Sequence, residues 1–203
     1  MGINRLESFS DGVIAVAITL LVLGITVPEP GSGQSLGHAL LSKWPEYAAY
    51  ATSFLTIGII WINHHAMVSR LGQADHSIMI LNLLLLMTIV ILPFVTNLMA
   101  SYLRHSQGQA LAAAVYSGAF LVMSVAFSIL NRHILLVKAH MLGEPIPLDL
   151  RRRILAKARL GVIPYLVATP LAFVSPYLTL GICAAVAAYY ARPVASGTEP
   201  RPQ

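Results

Sequence analysis

Long stretches without charged side chains alternate with short polar segments along the chain. Asp, Glu, Lys and Arg are absent from five stretches, at residues 12–28, 47–69, 77–103, 105–131 and 160–191. A helix needs about 20 mostly apolar residues to cross a membrane. The last stretch would be about 48 Å long as one helix, and Pro170 and Pro176 near its middle predict a turn between two shorter spans. The pattern therefore predicts six membrane-spanning helices, at about 9–28, 46–68, 77–101, 109–131, 156–174 and 177–192.

Composition is typical of an integral membrane protein. Hydrophobic residues make up 57% of the 203 residues and charged residues only 10%, whereas about 25% charged residues is usual in soluble domains. We therefore expect an all-α membrane protein with one domain over residues 1–192 and a disordered, proline-rich tail over 193–203. Glu7 and Asp11 interrupt the approach to the first apolar run, which argues against a cleaved signal peptide.

The distribution of basic residues predicts the topology. With six spans, both termini lie on one side of the membrane, together with the loop between spans 2 and 3 and the loop between spans 4 and 5. That side carries eleven of the thirteen Lys and Arg residues, and the other side carries only Lys43 and Arg104. The positive-inside rule then predicts a multi-pass plasma-membrane protein with both termini in the cytoplasm. We expect the basic segment 151–159 to contact anionic lipid headgroups, and we expect no nucleic-acid partner, since no basic groove carries interleaved aromatic residues.

Polar residues occur at the cytoplasmic ends of the first three apolar segments. The residues expected at this level are Arg5, Ser10, Asp11, Trp61, His64, His65 and Asn82. Because unsatisfied polar groups in hydrocarbon cost several kcal/mol each, they should form a hydrogen-bonded network. The network could be a structural clamp on the first helix, a proton relay or gate, or a metal site in which His64 and His65 join Asp11. Adjacent histidines on a helix point about 100° apart, which argues against the metal site.

The first apolar segment has a second, uncharged face. Steps of four and three residues define a stripe of Gly12, Val16, Thr19 and Leu23, with Leu20 beside it. Asp11 lies about 100° around the helix from this stripe. Periodicity alone allows two interpretations. The stripe either packs against neighbouring helices or lipid, or lines a pore with hydrophobic rings that gate by dewetting and a hydroxyl ring from Thr19.

Several motifs resemble the transmembrane protein 175 family of lysosomal-type potassium channels. The opening motif is Arg5-x-x-x-Phe9-Ser10-Asp11-Gly12, followed by an apolar helix that contains Ala17-Ile18-Thr19-Leu20-Leu21-Val22-Leu23. Further support comes from Trp61-Ile62-Asn63-His64-His65 and from Asn82-Leu83-Leu84-Leu85-Leu86, which leads to Leu92-Pro93-Phe94. The length of the chain resembles the prokaryotic, single-repeat branch of the family.

The resemblance implies a potassium-selective cation channel built as a homotetramer of six-helix subunits. Helix 1 would line the central pore without a selectivity-filter loop of backbone carbonyls, and potassium would be the permeant ion, with no cofactor. When the positions of the family are transferred to this sequence, the resemblance places the hydrophobic constriction of the pore at Val16 and the pore threonine at Thr19. The next apolar levels of the pore would lie at Leu20 and Leu23. Val16 departs from the larger isoleucine or leucine usual in the family, which predicts a wider constriction. The structural and gating network would comprise Arg5, Phe9, Ser10, Asp11, Trp61, His64, His65 and Asn82.

Two other classes of function remain as alternatives. A proton-coupled secondary transporter would use Asp11, His64 and His65 as protonatable groups, but the chain has no inverted repeat and no matched pair of helices broken by Gly or Pro. An intramembrane enzyme would need a nucleophile with a base partner or a His-Glu-x-x-His motif, and the sequence has neither. We therefore expect a channel and not an enzyme.

Overall fold

The computed structural model describes residues 2–29 and 35–191. This part of the chain folds into nine α-helices: α1 (Ile3–Leu20), α2 (Leu36–Ser42), α3 (Trp44–Val68), α4 (His76–Val90), α5 (Leu92–Tyr102), α6 (Gln109–Arg132), α7 (Leu148–Leu160), α8 (Ile163–Leu171) and α9 (Pro176–Tyr190). The expected all-α architecture is confirmed. The tail expected to be disordered, residues 193–203, lies outside the described residues.

Four helical stretches are long and apolar enough to cross a membrane: Ile3–Gly24, His76–Tyr102, Gln109–Val137 and Leu148–Leu171. The second joins α4 and α5, which are separated at Ile91 because Pro93 lacks a backbone N–H for helical bonding. The six expected spans would add α3 and α9. Helix α3 has 25 residues and ends in polar side chains, whereas α9 is apolar but has only 15 residues. The chain is thus a helical protein with several apolar, membrane-type helices.

Two helices begin earlier than the hydrophobic pattern predicted. Helix α1 begins at Ile3 instead of residue 9, and after Leu20 it continues as a 3₁₀ turn to Gly24. The fifth span, expected from residue 156, begins at Leu148. In both cases the extra turns are amphipathic, with Leu6 and Leu155 buried among polar neighbours. The uncharged stretch of a sequence therefore indicates which residues can lie in the hydrocarbon layer of the membrane. The first residue of the helix depends instead on packing within the subunit.

Helix α6 lies at the centre of the bundle and packs against α4, α5, α7, α8 and α9. Its side chains Tyr116 and Phe120 are fully buried, with their ring centroids 4.7 Å apart in an edge-to-face arrangement. The hydroxyl of Tyr116 lies 3.0 Å from the Oγ of Ser53 on α3, which in turn lies 2.8 Å from the Oγ1 of Thr96 on α5. These hydroxyls satisfy one another inside the apolar core, so they connect three helices without an unpaired polar group.

The α3–α4 loop and the segment after α6 join at one end of the bundle. The backbone N–H of Gly72 donates to the carbonyl of Met141 at 2.8 Å, and the N–H of Gly143 donates to the carbonyl of Arg70 at 2.9 Å. Beside this antiparallel bridge, the ammonium of Lys138 lies 2.7 Å from the carboxylate of Asp75. The two loops that a six-span topology assigns to the same side are therefore in contact.

Asp75 also begins α4 as its N-cap. Its Oδ1 accepts hydrogen bonds from the backbone N–H of Ile78 at 3.0 Å and from the hydroxyl of Ser77 at 2.8 Å. The Lys138 ammonium, together with these two donors, holds the pKa of the Asp75 carboxyl well below its usual range. The carboxylate therefore stays ionised at any physiological pH and links the start of α4 to the segment after α6.

Candidate pore helix and its polar network

Helix α1 has one face buried in the subunit and another face without a partner. The buried face repeats every three or four residues and consists of Leu6, Ser10, Ile14, Ala17 and Leu21. The stripe singled out from the sequence lies on the exposed side: Val16, Leu20 and Leu23 are 58%, 41% and 73% exposed, and Gly12 and Thr19 are exposed as well. A single subunit therefore presents an apolar face with one hydroxyl group in its middle.

The hydroxyl of Thr19 has a defined orientation. Its Oγ1 donates to the backbone carbonyl of Val16, one turn earlier, at 2.8 Å. A threonine hydroxyl has a single hydrogen, so this bond leaves only acceptor lone pairs for other partners. The stripe is otherwise apolar, so the lone pairs of the Thr19 hydroxyl are its polar feature. They can accept from a donor or contact a cation, but they do not suit an anion.

A buried chain of hydrogen bonds connects α1, α4 and α3. The side-chain N–H of Asn82 donates to the Oγ of Ser10 at 2.9 Å, and Ser10 donates to the carbonyl of Leu6 at 2.8 Å. The Oδ1 of Asn82 lies 2.7 Å from the Nε2 of His64. Because that oxygen can only accept, the Nε2 of His64 carries the hydrogen. Among the described residues, the buried Nδ1 of His64 has no hydrogen-bond partner.

A second set of contacts joins α1 to α3 at the rim of the bundle. The indole N–H of Trp61 donates to the Oδ1 of Asp11 at 2.9 Å, and the Nδ1 of His65 lies 2.8 Å from the Oε1 of Glu7. Glu7 and Asp11 are four residues apart on α1, as are Trp61 and His65 on α3. Residues at this spacing lie on one helix face, so the two pairs form successive links along the same helix contact.

The two histidines belong to different networks. His64 is buried and contacts Asn82, whereas His65 is exposed and contacts Glu7. The ligand atoms of Glu7, Asp11 and His65 lie within 4.8 Å of one another and could hold a metal ion. This group differs from the His64–His65–Asp11 set weighed from the sequence, since the ring of His64 points to another helix. The hydrogen bonds that these side chains already make favour a clamp between α1 and α3.

The sequence of this chain is similar to those of known ion channels. Residues 5–93 match the family model described as "Endosomal/lysosomal potassium channel TMEM175". The chain is 43% identical over 187 residues to a potassium channel of Streptomyces collinus, an alignment that covers 92% of this chain and 90% of that protein. This chain belongs to the TMEM175 family. It is also 41% identical over 190 residues to a potassium channel of Chamaesiphon minutus, with 93% of each chain covered.

The fold agrees with a solved member of the TMEM175 family. The crystal structure of a lysosomal potassium-selective channel TMEM175 homolog from Chamaesiphon minutus matches with a TM-score of 0.85 and 39% sequence identity, over 97% of this chain and 98% of that chain. The chain is thus a multi-pass membrane protein of an ion-channel family, and not an enzyme.

Two residues of the TMEM175 motif lie apart from the networks. The side chain of Arg5 is exposed and forms no ion pair or hydrogen bond within residues 2–29 and 35–191. It is six residues before Asp11, a spacing that turns it about 240° around the same helix. Phe9 is likewise exposed. The sequence pattern placed Arg5 in one hydrogen-bonded network with Asp11, because the helix was expected to begin only at residue 9 and not at Ile3.

Two polar contacts were missing from the sequence-based network. Glu7 is the partner of His65, and its position four residues before Asp11 could have indicated that both carboxylates face one neighbour. Ser53 and Tyr116 meet in the core, but single polar residues in apolar runs give no signal of which helix they face.

Proposed function

We propose that this chain forms a potassium-selective channel in which four copies surround a pore lined by α1. The main support for the proposal is the exposed stripe on α1. The opposite face of α1 is buried inside the subunit, so the stripe is free to face a symmetry axis that several subunits share. Relatives over nearly the whole chain are named potassium channels. One six-helix unit encloses no pore on its own axis, so closed symmetry is needed, and fourfold symmetry follows the family resemblance.

In this proposal ions pass successive rings of α1 side chains. Val16, Leu20 and Leu23 form hydrophobic levels that restrict water and therefore gate conduction. Thr19 lies between them and offers a ring of acceptor oxygens, because its hydrogen is bound to the Val16 carbonyl. Those oxygens replace part of the hydration shell of the ion. Because valine is smaller than leucine, the ring of Val16 side chains, at the cytoplasmic level, is the widest of the three hydrophobic rings.

The polar networks act as an anchor for α1 in this proposal. Ser10 is bound to Asn82, and Asp11 to Trp61, so both side chains face α3 and α4. Asp11 therefore orients the pore helix without lining the pore. Since Asp11 and His64 belong to separate networks, they offer no common proton path, which favours a channel over a proton-coupled carrier.

The proposed topology has six spans, with α3 and α9 added to the four apolar stretches and with both termini in the cytoplasm of a plasma-membrane protein. Contact between the α3–α4 loop and the segment after α6 supports a common side for these loops. The basic residues concentrated on that side support its cytoplasmic position.

A flux assay in liposomes tests the proposal. Purified protein is reconstituted, an outward potassium gradient is imposed, and flux is followed with a proton ionophore and a pH-sensitive dye. We expect faster flux with a potassium gradient than with a sodium gradient. Flux equal to that of protein-free vesicles would reject the channel. Cross-linking of the reconstituted protein should produce a ladder that ends at four subunits, and a ladder that ends at two would reject the fourfold pore.

A further inference from the structure

A groove of about 150 Å³ lies between α6 and the α7–α8 junction. Its wall is almost wholly apolar and is formed mainly by Val125, Ile129, Leu155 and Val162, and Ser128, Arg132 and Arg159 complete its lining. Arg132 is the last residue of α6, and Arg159 is near the end of α7. The groove thus combines a hydrocarbon-like surface with two positive charges at the basic end of the bundle.

The two arginines of the groove differ from Lys138 and Arg151, which have partners within the subunit. Lys138 is paired with Asp75, and Arg151 donates to the carbonyls of Ile146 at 2.7 Å and of Leu135 at 3.2 Å. Arg132 and Arg159 are exposed, and within the described part of the chain they make no ion pair and no side-chain hydrogen bond. Their charge is therefore available to an anion from outside the subunit.

The apolar wall extends from these charges into the membrane span. Ile129 and Val125 lie three and seven residues before Arg132 on α6, which places Val125 about 10 Å deeper at 1.5 Å per residue. A ligand that follows this surface needs an anionic head and an extended apolar chain. Guanidinium groups bind phosphate oxygens well, and the cytoplasmic leaflet supplies anionic lipids.

We propose that this groove binds one anionic phospholipid, with its phosphate between Arg132 and Arg159 and an acyl chain along Val125 and Ile129. The lipid fills apolar surface that the subunit leaves open and places a negative charge beside both arginines. The site is independent of the pore, since it lies on α6 and α7 and shares no residue with α1.

Native mass spectrometry of the delipidated full-length protein tests the site. The protein in detergent is titrated with phosphatidylglycerol or with phosphatidylcholine of the same acyl chains. We expect the first to bind at least about tenfold more tightly, a ratio in keeping with two basic side chains at a membrane surface. The double substitution Arg132→Ala/Arg159→Ala should abolish this preference. The matched control Arg152→Ala/Arg153→Ala removes the same charge from exposed positions on α7 and should keep the preference.

A second pair of variants tests the groove without changing charge. Ile129→Trp fills the groove and should weaken phosphatidylglycerol binding several-fold. Val122→Trp, at a position 57% exposed on the same helix but outside the groove, should leave it unchanged. Equal loss of preference in both arginine double variants would mean diffuse attraction to basic side chains and would overturn the proposal, as would unchanged binding in Ile129→Trp.

Discussion

The side-chain N–H of Asn82 donates to the hydroxyl oxygen of Ser10 at 2.9 Å, deep between α4 and α1. The same amide accepts from His64 on α3 through its oxygen. One side chain therefore fixes the relative positions of three helices, and it does so on the α1 face opposite the exposed stripe. The orientation of that stripe depends on an asparagine that never contacts it.

The substitution Asn82→Leu should destabilise the subunit. It keeps the volume of the side chain but leaves the Nε2–H of His64 buried without an acceptor, at a cost of about 1–3 kcal/mol. The hydroxyl of Ser10 loses its bond to Asn82 but keeps its bond to the Leu6 carbonyl. The measurement is the midpoint of thermal unfolding in detergent. Asn63→Ala serves as control, since its amide donates to the Ile59 carbonyl at a partly exposed position. Equal midpoints in the two variants would contradict the assigned role of Asn82.

Thr19→Val should lower the potassium-to-sodium permeability ratio several-fold. Valine has nearly the shape of threonine, so the ring keeps its width but loses its acceptor oxygens. Reversal potentials in planar bilayers under potassium and sodium measure the ratio. Thr88→Val on α4 is a matched control, because Thr88 makes the same bond to the carbonyl three residues earlier, at 2.6 Å. An unchanged ratio in Thr19→Val would place selectivity elsewhere.

Leu23→Ala should increase sodium leak, because it removes a hydrophobic ring and admits water to that level of the pore. Val16→Leu should act in the opposite direction and reduce conductance by narrowing its ring. Sodium influx into liposomes measures the first effect, and single-channel current measures the second. Leu111→Ala, at a position 62% exposed on α6, is the control for an exposed leucine outside the stripe. If Leu111→Ala leaks as much as Leu23→Ala, the stripe does not line the pore.

Asp11→Asn and Trp61→Phe should be coupled in stability. Each removes one partner of the bond between the indole N–H and the carboxylate, and we expect a coupling energy of about 0.5–1.5 kcal/mol in a double-mutant cycle. The measurement is thermal unfolding of the assembled protein, with single-channel current recorded in parallel. Additive effects would argue against the clamp. A change in open probability with unchanged stability would favour a gating role for Asp11.

Acid should destabilise the protein partly through Asp75. Its carboxyl pKa is lowered in the folded state, so its contribution to stability is complete at neutral pH and is lost as the pH falls below the ordinary value of 3.8. Asp75→Asn should therefore lower the unfolding midpoint at pH 7 and flatten its decline below pH 3.8. Asp149→Asn, an exposed aspartate in the first turn of α7, should keep the full decline. A steep decline retained in Asp75→Asn would contradict the role of its pair with Lys138.

The stripe on α1 could be predicted from the sequence because it depends on helical spacing alone. Val16, Thr19 and Leu23 are exposed together in the structure, as a period of 3.6 residues requires. The same spacing separated Asp11 from them. Partner choice could not be predicted in this way, because it depends on how two helices are rotated against each other. Asp11 therefore binds Trp61 instead of Arg5.

The ends of the helices were the other feature that could not be predicted from the sequence. The uncharged stretches report where the apolar layer lies, and α1 and α7 extend beyond it as amphipathic turns. Glu7 belongs to such a turn, which explains why it was left out of the network although it contacts His65. The contact of Ser53 with Thr96 was concealed for a different reason, since hydroxyls in apolar helices also bond to their own backbone.

The two faces of α1 also have different consequences for evolution. Leu6, Ile14 and Leu21 pack in the core of the subunit, so their replacement reduces folding stability. Val16 and Leu23 contribute little to that core, and a change at either position leaves the folded subunit almost as stable as before. Natural selection can therefore alter the exposed face in single steps without compensating mutations elsewhere. In the proposed channel, a lineage can thus adjust which ions pass along α1 while the scaffold that holds the helix remains constant.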